Sequence, residues 1–358
     1  THQHILRSIA IDGGTPNIIA APEEGCFISS KITHDSTKII YNIIEAGCDD
    51  HGLYQSDISG TATITLDPNY VIRFHISPED DFVIFTQGTP AGLYSIPVGG
   101  GDKETLNNPL VPGGMVYPDF KITPDNQYVV YRAEETIAGM DLLYRASLDG
   151  SSPRINLTPW GMAVDGHVIS FKITPNSLGV VYHADQHANN RLDLYSVAIN
   201  GGLWNRLSTG MIPNGDVVNY KITPNNLGVI FIADGRTDGV YELFGALING
   251  SYITPLNSAH PSFASVEDFQ ISNNSQFVVY RAPIEETGPL FLLIVPSAGG
   301  VPQPVNPEPV FGGFVRHYYQ ITPDNKGIVY RADQEVENQI ELFITYDYQK
   351  QYLPLMVK

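Results

Sequence analysis

Phe120-Lys121-Ile122-Thr123-Pro124-Asp125, followed closely by Val129-Val130-Tyr131, is the stretch on which the fold turns. Apolar and polar residues alternate from Phe120 to Thr123, which is the period of a half-buried strand. Proline presets φ at the second position of a tight turn, and an aspartate can bond its own backbone, so Pro124-Asp125 reverses the chain. The β-branched and aromatic run that follows reads as a second strand. The pattern recurs along the chain, with anchor isoleucines at Ile32, Ile76, Ile122, Ile173, Ile222, Ile271 and Ile321. Their successive spacings are 44, 46, 51, 49, 49 and 50 residues. Nine residues after each anchor stands an aromatic: Tyr41, Phe85, Tyr131, Tyr182, Phe231, Tyr280 and Tyr330.

The rest of each copy reads as two more strands. In the fourth copy Leu192-Asp193-Leu194-Tyr195-Ser196-Val197 forms the third. Asn200-Gly201-Gly202 supplies the positive φ of a primed hairpin turn, and a weaker fourth strand ends near Leu207. No segment carries sustained helical periodicity with caps. Four antiparallel strands per repeat predict an all-β, seven-bladed β-propeller of four-stranded antiparallel blades. A string of sandwiches is excluded, because one sandwich needs roughly 100 residues and the period here is half that. Residues 1–358 are thus expected to form a single propeller domain. Residues 1–22 would be a closing or surplus hairpin, and 23–358 the seven repeats.

The succession Ile-Thr-Pro-Asp, Val-Val-Tyr-Arg-Ala, Leu-Tyr-Ser-Val and Gly-Gly resembles the TolB-type propeller repeat. That repeat also builds the propellers of prolyl oligopeptidases and dipeptidyl peptidases. The resemblance covers about Ile5 to Leu355 and implies fold rather than activity. TolB carries an α/β domain before its propeller that has no counterpart here. The peptidases carry a hydrolase domain with Gly-x-Ser-x-Gly, and that pentapeptide does not occur in this sequence.

Composition narrows the function. The 358 residues carry 20 basic and 38 acidic side chains, a formal charge of −18. A nucleic-acid partner is disfavoured, since phosphate contacts need clustered Lys and Arg. No run of 18 or more apolar residues suggests a membrane span. An acidic surface favours cationic partners or divalent ions. Gly and Pro, 33 and 26 of them, supply the turns that each repeat needs.

The termini do not match evenly. Ile5-Leu6-Arg7-Ser8-Ile9-Ala10-Ile11-Asp12-Gly13-Gly14 fits a third strand and its turn. The last repeat nonetheless has its own third strand, Ile340-Glu341-Leu342-Phe343-Ile344-Thr345, and Tyr352-Leu353-Pro354-Leu355 fits a fourth. The simpler expectation is that the N-terminal segment adds an outer strand to the seventh blade. The sharper one is that a surplus strand pairs with another molecule, giving head-to-tail assembly. The two cysteines, Cys26 and Cys48, flank the first two strands of repeat one and fall near enough across the hairpin to form a disulfide. Such a bridge implies an extracellular or periplasmic location.

Candidate sites fall in two places. Three residues before the anchors lie Arg73, Asp119, Asn219, Asp268 and Tyr318, a varied polar set expected at the channel mouth, where propellers bind ligands. Lysines one residue before the anchors (Lys31, Lys121, Lys172 and Lys221) are expected to pair with carboxylates of their own repeats, since an unpaired buried charge is costly. The loop between the second and third strands places oxygens at alternate positions: Asp234, Asp238 and Glu242 in repeat five, and Asp333, Glu335, Glu337 and Glu341 in repeat seven. With Gly239 as a turn these are candidate calcium loops, against the plainer reading of a solvated acidic turn. No catalytic residue is assigned. His75, His167, His183 and His317 sit at different repeat offsets, unlike a preformed metal triad. The expected function is a non-catalytic module for protein binding or self-association. The alternative is a carbohydrate-active lyase or hydrolase at the channel mouth, suggested by the histidine-bound metal of some seven-bladed oligogalacturonate lyases.

Overall fold

The computed structural model describes residues 4–10, 12–22, 26–44, 51–158, 162–163, 165–257, 265–285 and 288–346. These residues form strands and turns without a helix, so no helix long and apolar enough to cross a membrane is present among them. The strands make eight antiparallel sheets: six of four strands, one of three and one of two. In each repeat sheet the strand order follows the chain order. In repeat five, for example, it runs Val217–Ile222, Gly228–Ala233, Glu242–Leu247, Ile253–Pro255.

The chain divides into two compact units, one of residues 1–168, 176–178 and 199–202, the other of 169–175, 179–198 and 203–358. Within the first, repeats one and two pack through Ile40, Leu53 and Leu66 against Val71, Phe74 and Phe85. Within the second, repeats five and six pack in the same way, with Ile230, Leu243 and Leu256 against Val266, Phe269 and Tyr280. In these two pairs the face of the earlier sheet presents a leucine from the third strand and another from the fourth. The opposite face presents the anchor-side aromatics.

The threonine or serine after each anchor has a local cause. Its hydroxyl accepts the backbone N–H five residues on in all seven repeats: Lys38 to Thr33, Phe82 to Ser77, Tyr128 to Thr123, Gly179 to Thr174, Gly228 to Thr223, Phe277 to Ser272 and Gly327 to Thr322, at 2.8–3.0 Å. This bond locks the reversal between strands one and two. Four residues after the anchor the backbone enters the left-handed region in every repeat, at Ser36, Asp80, Asn126, Ser177, Asn226, Ser275 and Asn325, with φ of 59–63°. Asn and Asp tolerate this conformation better than most side chains.

The fourth strand is short because its work is done by one pair of residues. In repeat six the Val305 N–H donates to the Leu292 carbonyl at 2.7 Å, and the Leu292 N–H donates to Asn306 Oδ1 at 2.7 Å. Leu93 with Asn107, Leu143 with Thr158, Leu194 with Ser208 and Leu243 with Asn257 repeat the arrangement.

The termini differ from the simpler expectation. Among the described residues Leu6–Ser8 and Asn17–Ala20 make a two-stranded sheet of their own, and the sheet of the last repeat has three strands. The N-terminal pair matches strands three and four of a repeat: Leu6 and Ile19 lie thirteen residues apart, as do Leu194 and Leu207. Its apolar side covers Ile39, Tyr41 and Ile43 of repeat one. Cys26 is buried in that same cluster at 2% exposure, whereas Cys48 and the segment Tyr352–Leu355 lie outside the described residues.

Candidate functional site

Four of the candidate channel-mouth positions sit on first strands, and Asp119 lies just before the strand Lys121–Ile122; three of the four stand opposite the residue ten after the anchor on the second strand. Asp268 pairs across the ladder with Arg281, Asn219 with Ile232 and Arg73 with Thr86. Arg281 Nη2 lies 2.6 Å from Asp268 Oδ2, and Arg132 Nε lies 3.0 Å from Asp119 Oδ2. Both arginines also reach forward. Arg132 Nη1 donates to the Val168 carbonyl at 2.6 Å, and Arg281 Nη1 to the Val315 carbonyl at 3.1 Å. Asn42 makes the same reach to the Val71 carbonyl at 3.0 Å. Asp119 and Asp268 are thus engaged in a bonding scheme that ties one sheet to the start of the next. Tyr318 is 63% exposed and its ring lies 4.0 Å from that of His317. Arg73 and Asn219 are exposed.

Two of the lysines before the anchors, expected to pair with carboxylates of their own repeats, bond backbone carbonyls of the next repeat. Lys221 Nζ donates to the Phe269 carbonyl at 2.7 Å, and Lys172 donates to the Tyr220 carbonyl. Gln270 makes the equivalent bond to the Tyr319 carbonyl. Each spans to the aromatic two residues before the next anchor, and the ammonium of Lys221 also lies 5.0 Å from the Phe269 ring. A backbone carbonyl at a fixed height in the next sheet is a better-placed acceptor than a flexible loop carboxylate, which is why the register wins. Burial lowers the pKa of Lys221, while the charge of Asp268 acts in the opposite direction.

The histidines fall in separate surroundings. Lys31 Nζ lies 3.0 Å from His75 Nδ1. Burial, then the charges of Lys31 and Arg73, bring the His75 pKa down to about 4, so this imidazole is neutral at pH 7. Burial also lowers the pKa of His183, although a bond with the Val217 backbone opposes the shift. His167 Nδ1 lies 3.5 Å from Asp141 Oδ1.

In the acidic loops the carboxylates close the loop itself. The Gly239 N–H donates to Asp234 Oδ2 at 3.2 Å, and the Asp216 N–H donates to its other oxygen at 2.6 Å. Asp333 accepts the Phe314 N–H at 2.9 Å and lies 3.1 Å from Arg316 Nη2. Glu242 is held by Arg236 at 2.6 Å, and Glu341 by the Gln339 amide at 3.1 Å. Among the described residues no three of His, Cys, Asp or Glu, including Asp238, Glu335 and Glu337, come together as a set able to hold a metal ion. The same spacing serves the turn: residue 1 caps the amide of residue 6 at Glu134 with Gly139, Asp185 with Asn190 and Asp234 with Gly239, and residue 6 has positive φ at these three places and at Asn338.

No protein-family model and no curated protein matches the sequence. Among solved structures the chain is similar to a prolyl endopeptidase at 11% identity and a TM-score of 0.47, covering 96% of this chain and 51% of that one. It is similar to an oligogalacturonate lyase in complex with manganese at 11% identity and a TM-score of 0.43, covering 96% of each. An oligogalacturonate lyase from Vibrio parahaemolyticus gives 9% identity and a TM-score of 0.46, again with 96% of each chain covered. The chain therefore spans about half the length of the endopeptidase and nearly all of the two lyases.

Proposed function

We propose that the seven repeats are the blades of one β-propeller that works as a non-catalytic binding or assembly module. Its partner is a protein, a second copy of the chain included, and it docks on the last repeat. The observation that carries this reading is Leu342. The same third-strand position is fully buried as Leu53, Leu93, Leu143, Leu194, Leu243 and Leu292, each at 0% exposure, but Leu342 is 63% exposed. Tyr346 on the same strand is 49% exposed. The strand Glu341–Tyr346 also has no fourth strand beside it among the described residues. An extracellular or periplasmic setting suits the proposal if Cys26 and Cys48 are bridged.

The test is the mass in solution of the intact chain, of a chain lacking residues 1–22, and of Leu342→Lys. Assembly of the intact chain that Leu342→Lys abolishes is the expected result. Monomers for both the intact and the shortened chain would overturn self-association.

A further inference from the structure

The repeats differ at one internal position in a way that leaves a shaped vacancy. The residue after the third-strand aromatic faces the next repeat, and two of its occupants show what that place asks for. In repeat three it is Arg145, only 6% exposed. Its Nε donates to the Ile199 carbonyl at 3.1 Å, its Nη2 to Asn200 Oδ1 at 3.3 Å, and its guanidinium lies 4.0 Å from the Tyr128 ring. In repeat four it is Ser196, whose hydroxyl donates to the Ile248 carbonyl at 2.5 Å. In repeat five it is Gly245, which has no side chain to offer.

The carbonyl that corresponds to Ile199 and Ile248 is that of Ser297. A Cβ built on Gly245 would lie 3.3 Å from it. Around this point is a groove of about 550 Å³. Ser297 Oγ is buried there without a hydrogen-bond partner. The groove lining contains no charged residue, and it carries Leu227, Leu247 and Tyr252, which are 63%, 41% and 55% exposed. At the corresponding places in repeat three stand Gln127, Ser147 and Ser152. Where the chain fills the place with its own arginine, these three positions are polar and the ring against the guanidinium is Tyr128. Where it leaves the place to Gly245, Tyr128 is replaced by Gly228, and the apolar surface and the ring come from Leu227, Leu247 and Tyr252.

We propose that this groove between repeats five and six is a binding site for an arginine side chain of a partner protein. The guanidinium donates to the Ser297 carbonyl and Oγ, as Arg145 does to the turn that follows its own sheet. Its planar face rests on Tyr252, and its methylene stem lies against Leu227 and Leu247. The −18 charge of the chain favours the approach of a cation, and repeat three demonstrates that a guanidinium settles in such a place on carbonyl and amide oxygens without a carboxylate. The inference rests on the binding-module reading, but its failure would leave the Leu342 test untouched, since that test concerns a different repeat.

The probe is N-acetyl-arginine methylamide, titrated against the backbone amide resonances of Gly245, Ser297 and Ala298, with the citrulline analogue as the neutral match. Saturable shifts with arginine and at least tenfold weaker binding of citrulline are expected. Gly245→Arg, which supplies the side chain from within, should abolish the shifts, although its Cβ, 3.3 Å from the Ser297 carbonyl, brings no gain in melting temperature. Tyr252→Ser, at an exposed position, should weaken binding at least fivefold and leave melting unchanged. No saturable shift with the arginine probe, equal binding of citrulline, or undiminished affinity in Tyr252→Ser would each overturn the proposal.

Discussion

Arg281 shows how a side chain that looks like a ligand-binding group comes to serve the architecture instead. It is 7% exposed, and it neutralises Asp268 while also bonding the Val315 carbonyl. Removing it leaves a half-buried carboxylate and a buried carbonyl without their donor. Arg281→Ala is expected to cost about 1–3 kcal/mol in urea unfolding, discounted because Asp268 remains partly solvated. His75 gives a pH signature of the opposite kind. Its folded pKa of about 4 lies below the ordinary value of 6.5, so between those values the unfolded chain binds a proton that the folded chain refuses. Stability is thus fully present above pH 6.5 and falls as the pH drops toward 4. In His75→Gln the loss of melting temperature over that window should be measurably shallower. At this scale the sequence displayed the positions but not their partners. Lys172 and Lys221 stood out as a column of cations, and only the offset between neighbouring sheets reveals that the column meets backbone carbonyls.

The strand-turn-strand element was the most legible part of the molecule, because its chemistry is contained in six consecutive residues. The Thr or Ser after the anchor, the left-handed residue four after it and the returning β-branched run act on one another directly. Asn126 tests the turn. Its side chain accepts the Glu79 N–H at 3.3 Å and donates to Asp81 at 2.9 Å, while its backbone holds φ at 61°. Asn126→Ala loses both bonds and strains the backbone, an expected cost of about 2 kcal/mol in chemical denaturation. Asn126→Gly keeps the conformation and should cost less. The Leu-Asn, Leu-Ser and Leu-Thr pairs of the fourth strands were hidden, because two-residue strands such as Asn205–Arg206 have too few residues to show a period. The disulfide proposed between Cys26 and Cys48 belongs here too. Thiol titration of the unfolded, unreduced protein should find no free thiol, and reduction should cost about 3 kcal/mol if loop closure governs its effect.

For the molecule as a whole, the seven-fold period was plain from the anchors, whereas the acidic loops read two ways, because residues that cap a turn and residues that ligate calcium are the same types at similar spacing. With Asp234, Asp333 and Glu242 already engaged, millimolar calcium is expected to leave the melting curve where it is. A shift of several degrees would restore the metal reading. Incubation with oligogalacturonate should yield no unsaturated product, which checks the lyase alternative. The exposed Leu342 could be read from no single repeat, since its residue type matches its six buried counterparts and only its place at the end of the series sets it apart. One feature also gives the series a direction in time. The turn of a repeat places its amides on the left-handed residue of the repeat that follows: Asp35 on Asp80, Asp125 on Ser177, Asn225 on Ser275, Asn273 on Asn325. During synthesis on a ribosome, each hairpin must therefore wait for its successor before its amides find their acceptors. The chain would settle one repeat behind the growing end, and truncation from the C-terminus would unlock the repeat before the cut.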